Sequence, residues 1–154
     1  MSVALQRAQV KTVVEAVSGV GVVHDYQRND NDPTVADDWY VREGKVNGWF
    51  IQTNPLDPDV FTTSEIQHNT EFILTGYLEV NDELKSRKTA EDLTQTLVTA
   101  IISARTLSGT ATHTHTVKPM PLEHIQIAVG QGSVLCHRVV IRWVTEERAD
   151  VTYA

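Results

Sequence analysis

His113-Thr114-His115 is the stretch of this chain best suited to metal chemistry. In an extended segment residues two apart point to the same side, so the two imidazoles would sit about 7 Å apart along the backbone. Two histidines and a carboxylate make a zinc site. Glu123 or His124 could add a third ligand, which gives one reading of the chain as a small metal-dependent enzyme using His113 and His115. The spacing does not fix that third ligand, and an exposed Thr- and His-rich strand accounts for the same residues.

The other chemical candidates fail on spacing. Cys136 and His137 are adjacent, so on a strand they point to opposite faces and make no nucleophile–base pair. Cys136 reads as an inert, partly buried small residue. Asp30-Asn31-Asp32 opens like a calcium loop, but Val35 stands at the glycine position and Val41 at the final glutamate position. Gly19-Val20-Gly21 starts like a dinucleotide-binding fingerprint, but His24 occupies the third glycine position and a helical pattern precedes it. Asp37-Asp38 and Glu146-Glu147 lie in polar surroundings that give no reason for a raised pKa. No catalytic constellation and no cofactor is expected. Trp39-Tyr40 sits in a polar stretch and reads as a docking pair, or as the stacking platform of a ligand-binding domain.

The elements that carry these residues follow from periodicity. Val3, Val10, Val13, Val14 and Val17 form a helical stripe over Ser2–Val17, ended by Ser18-Gly19. A strand is expected over Gly21–Gln27. A long polar loop follows at 29–47, with Asn47-Gly48 as a turn signal before Trp49–Gln52. Ile66–Val80 has a period of two, with Ile66, His68, Thr70, Phe72, Leu74, Gly76, Leu78 and Val80 on a mainly apolar face and Gln67, Asn69, Glu71, Ile73, Thr75, Tyr77 and Glu79 on a mainly polar one. Such a run would span roughly 50 Å, whereas a single domain of this length is about 40 Å across. The strand should overhang, and its polar N-terminal half should pair with or pack on a neighbouring copy. Gln67, Asn69 and Glu71, with Trp39 and Tyr40, are the expected oligomer contacts. A second helix is expected from a capping pattern at Thr89-Ala90-Glu91-Asp92 to Ser108-Gly109, with Ala90, Leu93, Leu97, Ala100, Ile101 and Ala104 inward. Lys85, Arg87 and Lys88 flank its start as a solvated loop. Thr110–Pro121 reads as extended. His124–Val129 and Ser133–Thr145 form a hairpin, and the polar tail from about 146 should fray. The sum is one α+β domain over 1–154, a mostly antiparallel sheet with two helices packed on one face.

Composition narrows the function classes. The net charge is −7 with scattered basic residues, which argues against a nucleic-acid reader. The single cysteine excludes an internal disulfide framework. No stretch is long and apolar enough for a membrane span, and Met1–Arg7 lacks the pattern of a secretory leader.

Several segments together resemble the tail-terminator (tail-completion) proteins of long-tailed bacteriophages. These are Val14-Glu15-Ala16-Val17-Ser18-Gly19-Val20-Gly21-Val22-Val23-His24-Asp25-Tyr26, a helix running into a glycine turn and strand, and Asn47-Gly48-Trp49-Phe50-Ile51-Gln52-Thr53 before the long strand. They also include Lys88-Thr89-Ala90-Glu91-Asp92-Leu93 at the second helix, and Gly132-Ser133-Val134-Leu135-Cys136-His137 leading to Val144-Thr145-Glu146-Glu147. The Asp/Asn-rich insertion and the Thr/His stretch depart from the family's pattern. The resemblance implies a non-enzymatic virion protein, assembled in the host cytoplasm. It would form a homo-oligomeric ring, usually of six copies, that caps the tail tube, stops its growth and joins it to the head. Its partners would be the tail-tube and head–tail connector proteins, with DNA passing through without sequence-specific binding. Another neck component or a tail-tube subunit is the nearest alternative.

Overall fold

A computed structural model of the chain describes residues 3–26, 41–42, 44–56, 59–60, 65–81, 83, 85–104, 113–129 and 132–150. The elements run α1 (Val3–Glu15), β1 (Val22–His24), β2 (Val41–Arg42), β3 (Lys45–Pro55), β4 (Asp59–Val60), β5 (Glu65–Glu79), α2 (Ser86–Ser103), β6 (His113–Pro119), β7 (Glu123–Val129) and β8 (Gly132–Asp150). The sheet has the order β1-β3-β5-β8-β6, with β2 on β3, β4 on β5 and β7 on β8. Among these pairs β1 and β3 alone run parallel. The fold is α+β, with both helices on one face of a mostly antiparallel sheet.

Each helix buries one stripe. Gln6, Val10 and Val14 of α1 recur every four residues, and Ala90, Leu93, Leu97 and Ile101 of α2 at steps of three and four. They meet every second residue of three strands: Trp49 and Ile51 of β3, Phe72 and Leu74 of β5, and Val139, Ile141 and Trp143 of β8. Register brings these into rows, with Ile51 beside Leu74 and Leu74 beside Ile141. Phe72 and Trp143 stack at 5.6 Å and 11°. Gly76 lies opposite Trp49, and a Cβ there would stand 2.2 Å from the indole ring. The glycine in the strand is thus the space the tryptophan occupies.

Polar side chains fasten α1 to the sheet. The buried Thr145 hydroxyl donates to Gln6 Oε1 at 2.7 Å, and Arg7 Nη2 donates to Thr53 Oγ1 at 2.6 Å. Asn47 clasps the turn after α1. Its Oδ1 accepts from the Gly21 N–H at 3.0 Å and from Trp49 Nε1 at 2.8 Å, while its Nδ2 donates to the Gly19 carbonyl at 2.8 Å.

Several expectations need correction. Asn47-Gly48 is not a turn: both lie inside β3, and the bend is at Gly44 (φ 77°), which closes the β2–β3 hairpin. The polar loop assigned to 29–47 therefore ends by Val41; residues 27–40, Trp39 and Tyr40 among them, lie outside the described residues. α2 begins at Ser86, not Thr89, so no capping box forms, and Arg87 and Lys88 are helical. Lys85 precedes it in the left-handed region (φ 52°) without a side-chain cap. Its stop falls after Ser103, whereas Ser108-Gly109 lies outside the described residues. The frayed tail from 146 is instead strand: β8 runs to Asp150, and Glu146–Asp150 pair with Asn69–Glu65. A strand as long as β5 needs a partner of matching length for its backbone groups, and polar side chains do not prevent that.

Candidate functional site

The His-Thr-His stretch forms β6 at the sheet edge. His113 and His115 stack at 5.7 Å, on the face opposite the helices. His115 Nε2 lies 2.7 Å from Glu146 Oε1, close but poorly aligned for a hydrogen bond, and its Nδ1 is 2.7 Å from Thr116 Oγ1. The expected third ligands are elsewhere. Glu123 on β7 lies 3.6 Å from Arg138 Nη1, and the His124 ring packs 5.0 Å from that of His137. No group of three or more His, Cys, Asp or Glu among the described residues is arranged to hold a metal ion.

A contact that the sequence gives no signal for joins Ser86 and His137, 51 positions apart. Ser86 Oγ is 2.9 Å from His137 Nε2, a separation at which an imidazole can accept a hydroxyl proton. The same oxygen accepts the Asn81 N–H at 2.8 Å, and the Ser86 N–H returns to the Asn81 carbonyl at 3.1 Å. This reciprocal closure fixes the start of α2 between the ends of β5 and β8, which makes the pair a brace. Beside it a groove of about 260 Å³ is lined by Lys45, Val46, Asn47, Leu78, Ser86 and Thr89 among others.

Cys136 is fully buried in a small cluster with Val46 and Phe50 on the helix-free face. Burial, followed by the nearby Glu79 carboxylate, pushes its thiol from 9.0 up to about 11. A thiol held protonated is a poor nucleophile.

The expected contact residues on β5 do share a surface. Gln67, Asn69 and Glu71 lie at alternate positions on the helix-free face. Gln67 Nε2 donates to Asn69 Oδ1 at 3.0 Å, and Asn54 Nδ2 donates to Glu71 Oε1 at 3.2 Å. They are not on a free strand edge, however. β5 pairs with β8 along its whole length, and with β3 and β4 on its other side. A neighbouring copy can therefore meet these residues only through their side chains, which corrects the expectation of edge pairing. The helix-side core stops at Phe72 and Trp143, with Thr70 and Thr145 buried just beyond. Past them, Ile66–Asn69 and Glu146–Arg148 are all half-buried or exposed.

Compared with known proteins, the chain matches no protein-family model and no curated protein. No helix among the described residues is long and apolar enough to cross a membrane.

Proposed function

We propose that this chain is a self-assembling structural subunit of a long-tailed phage virion, of the tail-terminator kind: a ring that caps the tail tube, halts its growth and presents the surface that joins the head. The observation that carries this reading is the β5–β8 extension beyond Thr70 and Thr145. Ordering a backbone residue costs about 1–2 kcal/mol, and among the described residues of this extension, Ile66–Asn69 and Glu146–Arg148, none is fully buried to offset it. A second copy packed on the Gln67–Asn69–Glu71 row supplies the missing burial. The net charge of −7 fits a conduit along which DNA slides without sticking. The pairing geometry also dictates the test. Proline at Asn69 would break a ladder inside a central strand, so side-chain variants are needed. Asn69→Arg together with Gln67→Glu is expected to abolish ring formation and capping of purified tail tubes while leaving the melting temperature near wild type. Normal capping by that variant would remove the row from the interface.

A further inference from the structure

β6 and β7 flank β8 on the same side, one after the other, and among the described residues no strand pairs with the outer edge of either. The two edges are built differently. β6 breaks register between His115 and Lys118, turns Thr116 to φ 57° and ends in Lys118-Pro119. A bulge, a lysine and a proline are the usual devices that keep an edge strand from recruiting another strand. β7 has none of them. All seven residues from Glu123 to Val129 stay in register with β8, and Glu123 is its single charge. Ile125 and Ile127 anchor it from below against the Val46–Phe50–Cys136 cluster, while His124, Gln126 and Ala128 are exposed above.

We propose that the outer edge of β7 pairs antiparallel with β7 of a second copy, around a two-fold axis at Gln126. The occupant follows from the strand's own symmetry. Centring on Gln126 sets Ile125 against Ile127 of the other copy, and Ile127 against its Ile125, so both apolar pairs fall on the face already packed on the small cluster. β-branched cross-strand pairs of this kind stabilise a sheet. The same register carries the two Glu123 side chains to opposite ends, each beside its own Arg138. An acidic chain thus meets itself without opposing like charges. A two-fold contact is distinct from the head-to-tail contacts that close a ring, so this inference stands or falls apart from the tail-terminator reading: it joins two protomers, or two rings back to back.

The test uses the full chain. Directly opposed residues of antiparallel strands lie about 4.5–5.5 Å apart at Cα, within the span of a disulfide. Gln126→Cys should therefore cross-link into a covalent dimer under mild oxidation. The native Cys136 is buried and stays silent, and Thr99→Cys on the outer face of α2 should remain uncross-linked. Gln126→Lys, which opposes two ammonium groups at the axis, should halve the native mass with an unchanged melting temperature. A Gln126→Cys protein that stays reduced, or a Gln126→Lys protein of wild-type mass, would overturn the proposal.

Discussion

The inner and outer halves of the β5–β8 pair are continuous in hydrogen bonding and opposite in what surrounds them. From Phe72 to Leu78 and from His137 to Trp143 the strands present one face to two helices, with Phe72, Leu74, Ile141 and Trp143 buried. From Glu65 to Asn69 and from Glu146 to Asp150 the same ladder continues, and Ile66–Asn69 and Glu146–Arg148 lie outside the helix-packed core. The difference separates two uses of a strand. The inner half carries the helix-packed core of the protomer, whereas Ile66–Asn69 and Glu146–Arg148 of the outer half are half-buried or exposed.

Truncation should expose that division most sharply. Trp143→Ala removes the largest side chain of the inner half and its stacked partner contact, so a loss of about 3–5 kcal/mol is expected, set against a total of about 5–15 kcal/mol. His68→Ala, at an exposed position of the outer half, should leave the melting temperature within error. Thermal unfolding of the two proteins side by side gives the answer, and equal losses would erase the distinction. Leu97→Ala belongs with the inner half at about 2–5 kcal/mol, while Thr99→Ala on the outer face of α2 should be nearly silent.

Gly76→Ala probes how tightly the inner half is filled. The new methyl must displace the Trp49 indole, and overpacking of this kind costs about 1–3 kcal/mol. Near-ultraviolet circular dichroism and tryptophan fluorescence should change with it; an unaltered tryptophan environment at wild-type stability would mean the two residues do not face each other.

Much of this was readable from residue pattern. The period of two in Ile66–Val80 and the three- and four-residue steps of Leu93, Leu97 and Ile101 gave both elements and their inward faces, because alternation and helical pitch leave direct marks in sequence. The end of β8 was not readable. Glu146-Glu147-Arg148 is polar, and its order comes from pairing with β5 rather than from burying its own side chains. The start of α2 was hidden for a related reason, since Ser86 is held by Asn81 and by His137, a partner 51 positions away. Asn47-Gly48 misled because the asparagine serves the Gly19–Gly21 turn from within a strand. As for the candidate site, alternation shows that Gln67, Asn69 and Glu71 share one face, but not which strands flank β5, because that is a property of the whole sheet.

Alkaline pH offers a subtler contrast, on the helix-free face. Burial raises the thiol of Cys136, and it raises the Tyr77 hydroxyl, an effect that Arg138 opposes. Above about pH 9 the unfolded chain loses the cysteine proton while the folded chain keeps it until about 11. Stability should therefore fall as pH rises through that window, and Cys136→Ser should flatten the slope. A slope that survives the substitution would assign it to other groups. Smallest of all should be His113→Ala with His115→Ala. His113 is exposed, and the half-buried His115 makes no aligned hydrogen bond to Glu146, so fold and assembly should persist. Stoichiometric zinc in untagged protein, lost in this double variant, would instead favour the metal-enzyme reading.

The central claim is that the outer arm exists to meet other copies. It is tested most directly by the native mass of the purified chain, alone and with polymerised tail tubes. The account predicts a closed oligomer, in solution or on the tube ends, that is lost when Gln67 and Asn69 are changed. A chain that stays a monomer at every concentration and binds no tube would contradict it.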